Sequence, residues 1–192
     1  MVETPPMGPE SDFGEVLAAA RAGEEWAVAV LYRDLHPRLR RYLGARASGA
    51  AEDVEGEVWL AVAQRLHQFD GDELAFRAWI FSIARRRLAD LRRTAARRRT
   101  AVAPVEELDR ADAGADPGEV VLEAMTGDDA VAFVRRSLPP EQAEVVILRV
   151  VAGLEVDQVA TLLGKRAGTI RVMQHRALKR LERVLGEKRV TR

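Results

Sequence analysis

Residues 76–99 read FRAWIFSIARRRLADLRRTAARRR. Phe76, Trp79, Ile80 and Ile83 recur at i, i+3, i+4 and i+7, so the stretch predicts one helix with a single apolar face. Leu88 and Leu91 continue an apolar flank. Arg85, Arg86, Arg87, Arg92, Arg93, Arg97, Arg98 and Arg99 stand against a single acid, Asp90, and Arg77 adds a further positive charge. Such a run repels itself, and a polyanion lying alongside relieves the repulsion. The aromatic head of the helix points further. Aromatic faces replace lost base stacking, which suits a duplex whose bases are being unstacked. Taken singly, Phe76, Trp79, Ile80 and Ile83 read as core; the arginine run as a whole reads as nucleic-acid contact.

The rest of the chain is consistent with an all-α protein. Ala, Leu, Arg and Glu dominate, all of them helix formers, and alternating Val-Ile-Thr runs are nearly missing. At 192 residues there is room for one large or two small domains. Without cysteine the chain has no disulfide, thiolate metal site or cysteine nucleophile, which fits a reducing cytoplasm. No apolar run approaches the ~18 residues of a membrane span, so no membrane insertion is expected. The opening MVETPPMGPE lacks the basic and apolar regions of a secretory signal. The net charge of zero conceals blocks. Residues 101–129 hold nine acids against Arg110 alone, whereas residues 164–192 hold ten Lys or Arg against two Glu. Basic, acidic and basic blocks in succession mark separate physical tasks.

Taken in order, residues 1–10 are a polar, Pro-rich tail of expected disorder. Residues 11–100 make a first domain of four helices. Asp12 or Ser11 caps a helix from Phe13 to Ala22. A second runs from Glu24 to Ala47, where Pro37 should bend or divide it. The third spans Ala51 to Leu66, with Val54, Val58, Leu60, Ala61, Val62 and Leu66 as its buried face. Glu52, Asp53, Glu55 and Glu57 look like an exposed face. They serve either the helix dipole or a basic partner, and the residues alone leave that even. A turn at Gly71 leads into the basic helix. Residues 101–131 read as an acidic flexible linker. A second domain occupies 132–187, followed by a short tail. In it the short helix Glu155–Leu163, the turn Gly164–Gly168 and a long last helix form a helix-turn-helix. The start of that second helix meets base edges in the major groove, which selects Lys165, Arg166, Thr169, Arg171, Val172, Gln174, His175 and Arg176.

Together the two blocks resemble the extracytoplasmic-function group of sigma factors, short sigma-70 family members with only regions 2 and 4. The carriers are LYRDLHPRLRRYL, AEDVEGEVWLAVAQRL and FRAWIFSIARRRLADLRR in the first block. In the second the carrier is SLPPEQAEVVILRVVAGLEVDQVATLLGKRAGTIRVMQHRALKRL. The resemblance implies a promoter-specificity and DNA-melting subunit of RNA polymerase acting at −35 and −10 elements. It implies that Asp53, Glu57 and Trp59 belong to a face that docks on the largest polymerase subunit. The loop holding Phe69, Gly71 and Asp72 would capture a base flipped from the −10 element. Phe76 and Trp79 match the melting aromatics; Arg85, Arg86, Arg92 and Arg93 match backbone and −10 contacts. Core polymerase and promoter DNA are the implied partners, and an anti-sigma factor is a further one. The chain departs from the usual pattern at several points. Gly56 stands for a common Gln, Arg86 for a common Asn, and the loop before Phe76 is one residue longer. Met173 and Gln174 replace an Arg and apolar pair.

Other function classes fare worse. His36, His67 and His175 are far apart in sequence, with no triad or metal-ligand spacing, so no catalytic residue, metal or cofactor is expected. Gly164-Lys165 lacks the rest of a phosphate-binding loop, and no small-molecule substrate is implied. The alternative is an autonomous helix-turn-helix regulator, which leaves the aromatic-basic and acidic helices without a purpose. A module that sequesters polymerase is the third reading.

Overall fold

The computed structural model describes residues 12–44, 46–47, 49–101 and 127–190. The N-terminal tail, the acidic stretch 102–126 and residues 191–192 lie outside the described residues, and with them most of the expected linker. Among the described residues the chain forms eight α-helices and no strand. They are α1 (Phe13–Arg21), α2 (Glu25–Gly44), α3 (Ala51–Arg65), α4 (Glu73–Ala101), α5 (Gly127–Ser137), α6 (Pro140–Val150), α7 (Val156–Leu163) and α8 (Ala167–Val190). A 3-10 turn, Leu66–Gln68, follows α3.

Helices α1 to α4 surround one core. Asp12 caps α1, its Oδ1 accepting from the Gly14 N–H at 3.2 Å. Helix α2 is not divided at Pro37; it runs unbroken to Gly44. A proline inside a helix costs about 3 kcal/mol. Leu35, Leu39, Tyr42 and Leu43 on the same helix are almost wholly buried, and that packing outweighs the cost. Helix α4 buries Phe76, Ile80, Phe81, Ile83, Ala84 and Leu88. Phe81 meets the Tyr42 ring edge-on with centroids 5.3 Å apart. Leu91, expected on the apolar flank, is exposed, because α4 has by then left the core and every residue from 91 to 97 faces outward.

Two expectations for α3 are corrected. Leu60 is 61% exposed, and Glu55 is buried. The physical reason lies in the 3.6 period. Glu55, Val58 and Val62 fall at i, i+3 and i+7 on the face turned to α2, whereas Leu60 falls with Asp53 and Glu57 on the opposite face. Inside, Glu55 Oε1 lies 2.5 Å from His36 Nδ1 of α2, an ion pair when the imidazole is protonated. Tyr32 stacks on His36 at 4.7 Å and leans on Trp59 at 4.8 Å.

Helix α5 begins at Gly127, inside the stretch read as linker, and its Val131 is buried. Pro140 opens α6 at its first turn, where its missing N–H is no loss. Glu155 and Gln158 form a capping box at the start of α7. Gly164 ends α7 with φ +63°, a left-handed conformation that a side chain disfavours. A continuous apolar core passes from α1–α4 into α5–α8. Helix α5 packs on α2, and α7 packs on α4.

The polar centre of that junction is Glu144 of α6. It pairs with Arg46 and accepts from the Tyr42 hydroxyl at 3.2 Å. The Arg46 guanidinium also covers the Tyr42 ring at 4.9 Å. Burial first, and then the Glu144 carboxylate, holds the Tyr42 phenol well above its ordinary value. The unfolded chain ionises this tyrosine near pH 10, the folded chain later. The group's contribution is therefore whole below about pH 10 and is lost as pH rises above it. Denaturant midpoints compared at pH 9 and pH 11 should fall for the native chain. The fall should be smaller in Tyr42→Phe, and an equal fall in both would refute the assignment.

Candidate nucleic-acid interface

The first part of the interface is the head of α4 with the loop before it. Asp72 caps the helix, its Oδ1 accepting from the Ala75 N–H at 2.7 Å. Gly71 has φ +154°, and a Cβ there would lie 3.0 Å from both the Phe69 ring and Ala75. The missing side chain is what lets the Phe69 ring fold under the loop. Phe69 stacks on Trp79 with centroids 5.0 Å apart and planes 28° apart. Both rings are half-buried. Phe76 is only 1% exposed and sits beneath them, in contact with Phe13, Phe69 and Trp79. Of the two aromatics assigned to melting, Trp79 is thus accessible, and Phe76 forms the floor under it. The half-buried partner of Trp79 in this platform is Phe69, two residues before the turn.

Beyond the platform the basic side chains leave the core. Arg85, Arg86, Arg92 and Arg93 are all exposed. Arg93 pairs with Asp90 one turn back. Arg77 behaves differently from its neighbours: it is mostly buried and engages Glu73 and, at 3.6 Å, Asp34. It belongs to the fold and not to the basic face.

Helix α3 presents the acids. Asp53 and Glu57 are exposed and Trp59 is half-buried. Glu57 lies 3.6 Å from Arg87 of α4, so the acidic and basic faces adjoin. Leu60 stands exposed on the same side as Asp53 and Glu57. Sequence reasoning placed Leu60 in the core; its period with the acids was the signal that could have moved it.

The second part is α8. Ile170 and Ala177 are buried and hold it to its neighbours. The outward stripe is Gly168, Val172, His175 and Lys179, at i, i+4, i+7 and i+11. Arg171 and Arg176 flank it, exposed, and Thr169 and Arg166 lie exposed at its start. Val172, 49% exposed, is an apolar tip amid basic residues. That mixture suits a groove, where cations meet phosphates and guanine edges and an apolar group meets a thymine methyl. Lys165 is drawn back to Glu141 at 3.2 Å. Gln174 is also set apart, half-buried on the inner side, its Oε1 accepting from Arg149 Nε at 3.3 Å. The structure therefore brings Arg166, Thr169, Arg171, Val172, His175 and Arg176 to one face and turns Gln174 away from it. Among the described residues no group of His, Asp or Glu could hold a metal ion. No described helix is long and apolar enough to cross a membrane.

Known proteins match both blocks of the chain. Residues 28–98 match Sigma-70 region 2, and residues 136–181 match Sigma-70, region 4. The chain is similar to the ECF RNA polymerase sigma factor BldN of Streptomyces coelicolor, 35% identical over 89% of this chain. It spans 65% of that relative's length. It is 37% identical to the ECF RNA polymerase sigma factor SigD of Mycobacterium tuberculosis, across 87% of this chain and 81% of SigD. Among solved structures, its fold is similar to that of the sigma factor RpoE of Bartonella quintana, determined with the anti-sigma factor NepR. The TM-score is 0.58 at 24% identity, covering 81% of this chain and 96% of the other. With region 2 and region 4 both matched in order, and relatives this similar along most of its length, the chain belongs to the extracytoplasmic-function RNA polymerase sigma factors.

Proposed function

We propose that this chain is a dissociable promoter-specificity and DNA-melting subunit of bacterial RNA polymerase, and that it works in the cytoplasm without catalytic residues, metal or cofactor of its own. The observation that carries the reading is the coexistence of two nucleic-acid surfaces of different kinds in one chain. One is an aromatic platform at the head of an arginine-rich helix; the other is a recognition helix with a mixed basic and apolar outer stripe. An autonomous regulator has use for the second alone.

In this reading the exposed acids Asp53 and Glu57, supported by Trp59, dock on the core enzyme. Phe69 and Trp79 receive bases released from the −10 duplex, in place of lost base stacking. Gly71 and Asp72 hold the loop in shape, and Phe76 supports the platform from below. Arg85, Arg86, Arg92 and Arg93 neutralise backbone phosphates and favour the opened strands. Arg166, Thr169, Arg171, Val172, His175 and Arg176 anchor the −35 duplex, and Lys165 joins them once it leaves Glu141. The subunit supplies recognition and strand separation, and the polymerase supplies the chemistry. The similar Bartonella factor was solved with an anti-sigma factor, and a comparable inhibitor is the expected third partner here.

Run-off transcription tests the proposal. Core polymerase mixed with this chain on promoter fragments should give discrete start-site transcripts, and core alone should give none. Stable core binding without transcripts would replace the reading with a sequestering module. Tight duplex binding by the chain alone, with neither core binding nor transcript, would replace it with an autonomous regulator.

A further inference from the structure

Gln174 occupies an inner position on α8. On a helical repeat it falls between Ile170, Ala177 and Leu181, of which the first two are buried and the third half-buried. Apolar packing would satisfy such a position. Its amide oxygen is instead held by Arg149 of α6. The same guanidinium donates to the Leu154 carbonyl and lies 3.4 Å from Glu155 Oε2. Glu155 is the N-cap of α7, its backbone N–H bonded to Gln158 at 2.8 Å. The Arg149 side chain is only 22% exposed. One guanidinium therefore joins the end of α6, the turn into α7, the α7 cap and the recognition helix. Its donors form a rigid planar fork, so the three partners are held at fixed relative angles.

The angle between the two helices of a helix-turn-helix decides which side chains reach base edges. Resting on the promoter-binding reading above, we propose that Arg149 and Gln174 are a positioning pair that sets the recognition helix for −35 contact, and that Gln174 itself touches no base. Glutamine reads adenine with its oxygen and nitrogen together. With the oxygen already engaged by Arg149, that two-point contact is not presented.

The test uses the full chain with core polymerase on a template randomised across the −35 element, scoring transcript yield and the selected base profile. Gln174→Leu fits an inner position but cannot accept from Arg149. It should lower yield about tenfold on all −35 sequences alike, the worth of a hydrogen bond to a charged group. Arg149→Met, which also releases the Leu154 carbonyl and Glu155, should lower yield at least as much, and the double variant should lose no more than Arg149→Met alone. Gln174→Glu keeps an acceptor for the guanidinium and should restore yield to within about threefold with an unchanged profile. A base-reading Gln174 gives the opposite order. Glutamate facing the duplex would then be worse than leucine, and the leucine variant would change preference at one base position. Either of those results overturns the proposal, as does native yield in Gln174→Leu. Gln174→Glu keeps the structural bond, so its result decides even if a thermal melt shows the leucine variant unfolded. Absence of any transcript with the native chain would count against the function proposed above and not against this pair.

Discussion

Replacing Glu144 by alanine should open the molecule. A compact chain of this length has a radius of gyration of about 16 Å, and X-ray scattering on the variant should give a value above about 20 Å. The argument rests on what Glu144 faces. Its carboxylate is the acid against Arg46, in the turn after α2, and the acceptor for Tyr42 of α2. Arg135 of α5 lies close enough to Arg46 and Arg92 that its own charged form is disfavoured, burial being the larger cause. Glu144, by contrast, favours its charge. The pair with Arg46 is also largely shielded from water, with side chains 12% and 13% exposed. Removing one partner of such a pair costs about 3–5 kcal/mol, because the other charge is left unmatched. Separation of the two halves returns Arg46 and Arg135 to water and relieves that cost. Against this stands the apolar core that the two halves share, which is interrupted between α2, α5 and α6 by a cleft of about 430 Å³ lined by Arg38, Arg41, Val134, Val146 and Val150. Glu144→Gln, which keeps an acceptor for Tyr42 but no charge, should fall between. A radius of gyration unchanged in Glu144→Ala would mean that the shared apolar core alone holds the halves together. Opening also matters for the proposed role. Elements centred about 25 base pairs apart lie about 85 Å apart on B-form duplex, whereas a compact chain of this size is only about 42 Å across.

Trp79→Ala should remove most initiation from duplex promoters. Base–aromatic stacking is worth about 1–3 kcal/mol per base, or about 5- to 150-fold in the population of opened complexes. Trp79 also carries Phe69, so the alanine variant loses both rings of the platform. At least a tenfold loss of run-off transcript is expected. A template already mismatched across the −10 region should restore it, because strand separation no longer has to be driven. Trp79→Tyr should stay within a few-fold of native, since a flat ring remains. An equal defect of Trp79→Ala on the mismatched template would show that the residue acts through folding or core binding instead. Arg92→Ala should behave differently on the same templates. One phosphate contact fewer weakens binding across sequences alike and reduces the salt slope by about one unit.

The amino-acid sequence by itself determined the class and the order of parts. Local rules suffice for that. The apolar period of residues 76–88 makes a helix whatever surrounds it, Asp12 and Gly164 punctuate their helices through their own backbone chemistry, and the basic and acidic blocks are readable as charge. The helix-turn-helix was legible for the same reason. Tertiary structure decided which face of each helix turns inward and what meets across helices. Glu55 looked like one of four exposed acids until α2 supplied His36 on its face. Leu60 looked like core until α3 turned its other side to α2. Phe69 was expected in the base-capturing loop, but its stacking on Trp79 depends on Gly71, which leaves room for the ring. Gln174 sat within the reading stretch by position; its period with Ile170, Ala177 and Leu181 turns it inward, and only packing gave its amide oxygen to Arg149, 25 residues earlier. Glu144 and Tyr42, 102 residues apart, had no local signal at all. A sequence period fixes a residue's neighbours along its own helix. The partners that neutralise a charge or seat an amide come from other helices, and only packing chooses them.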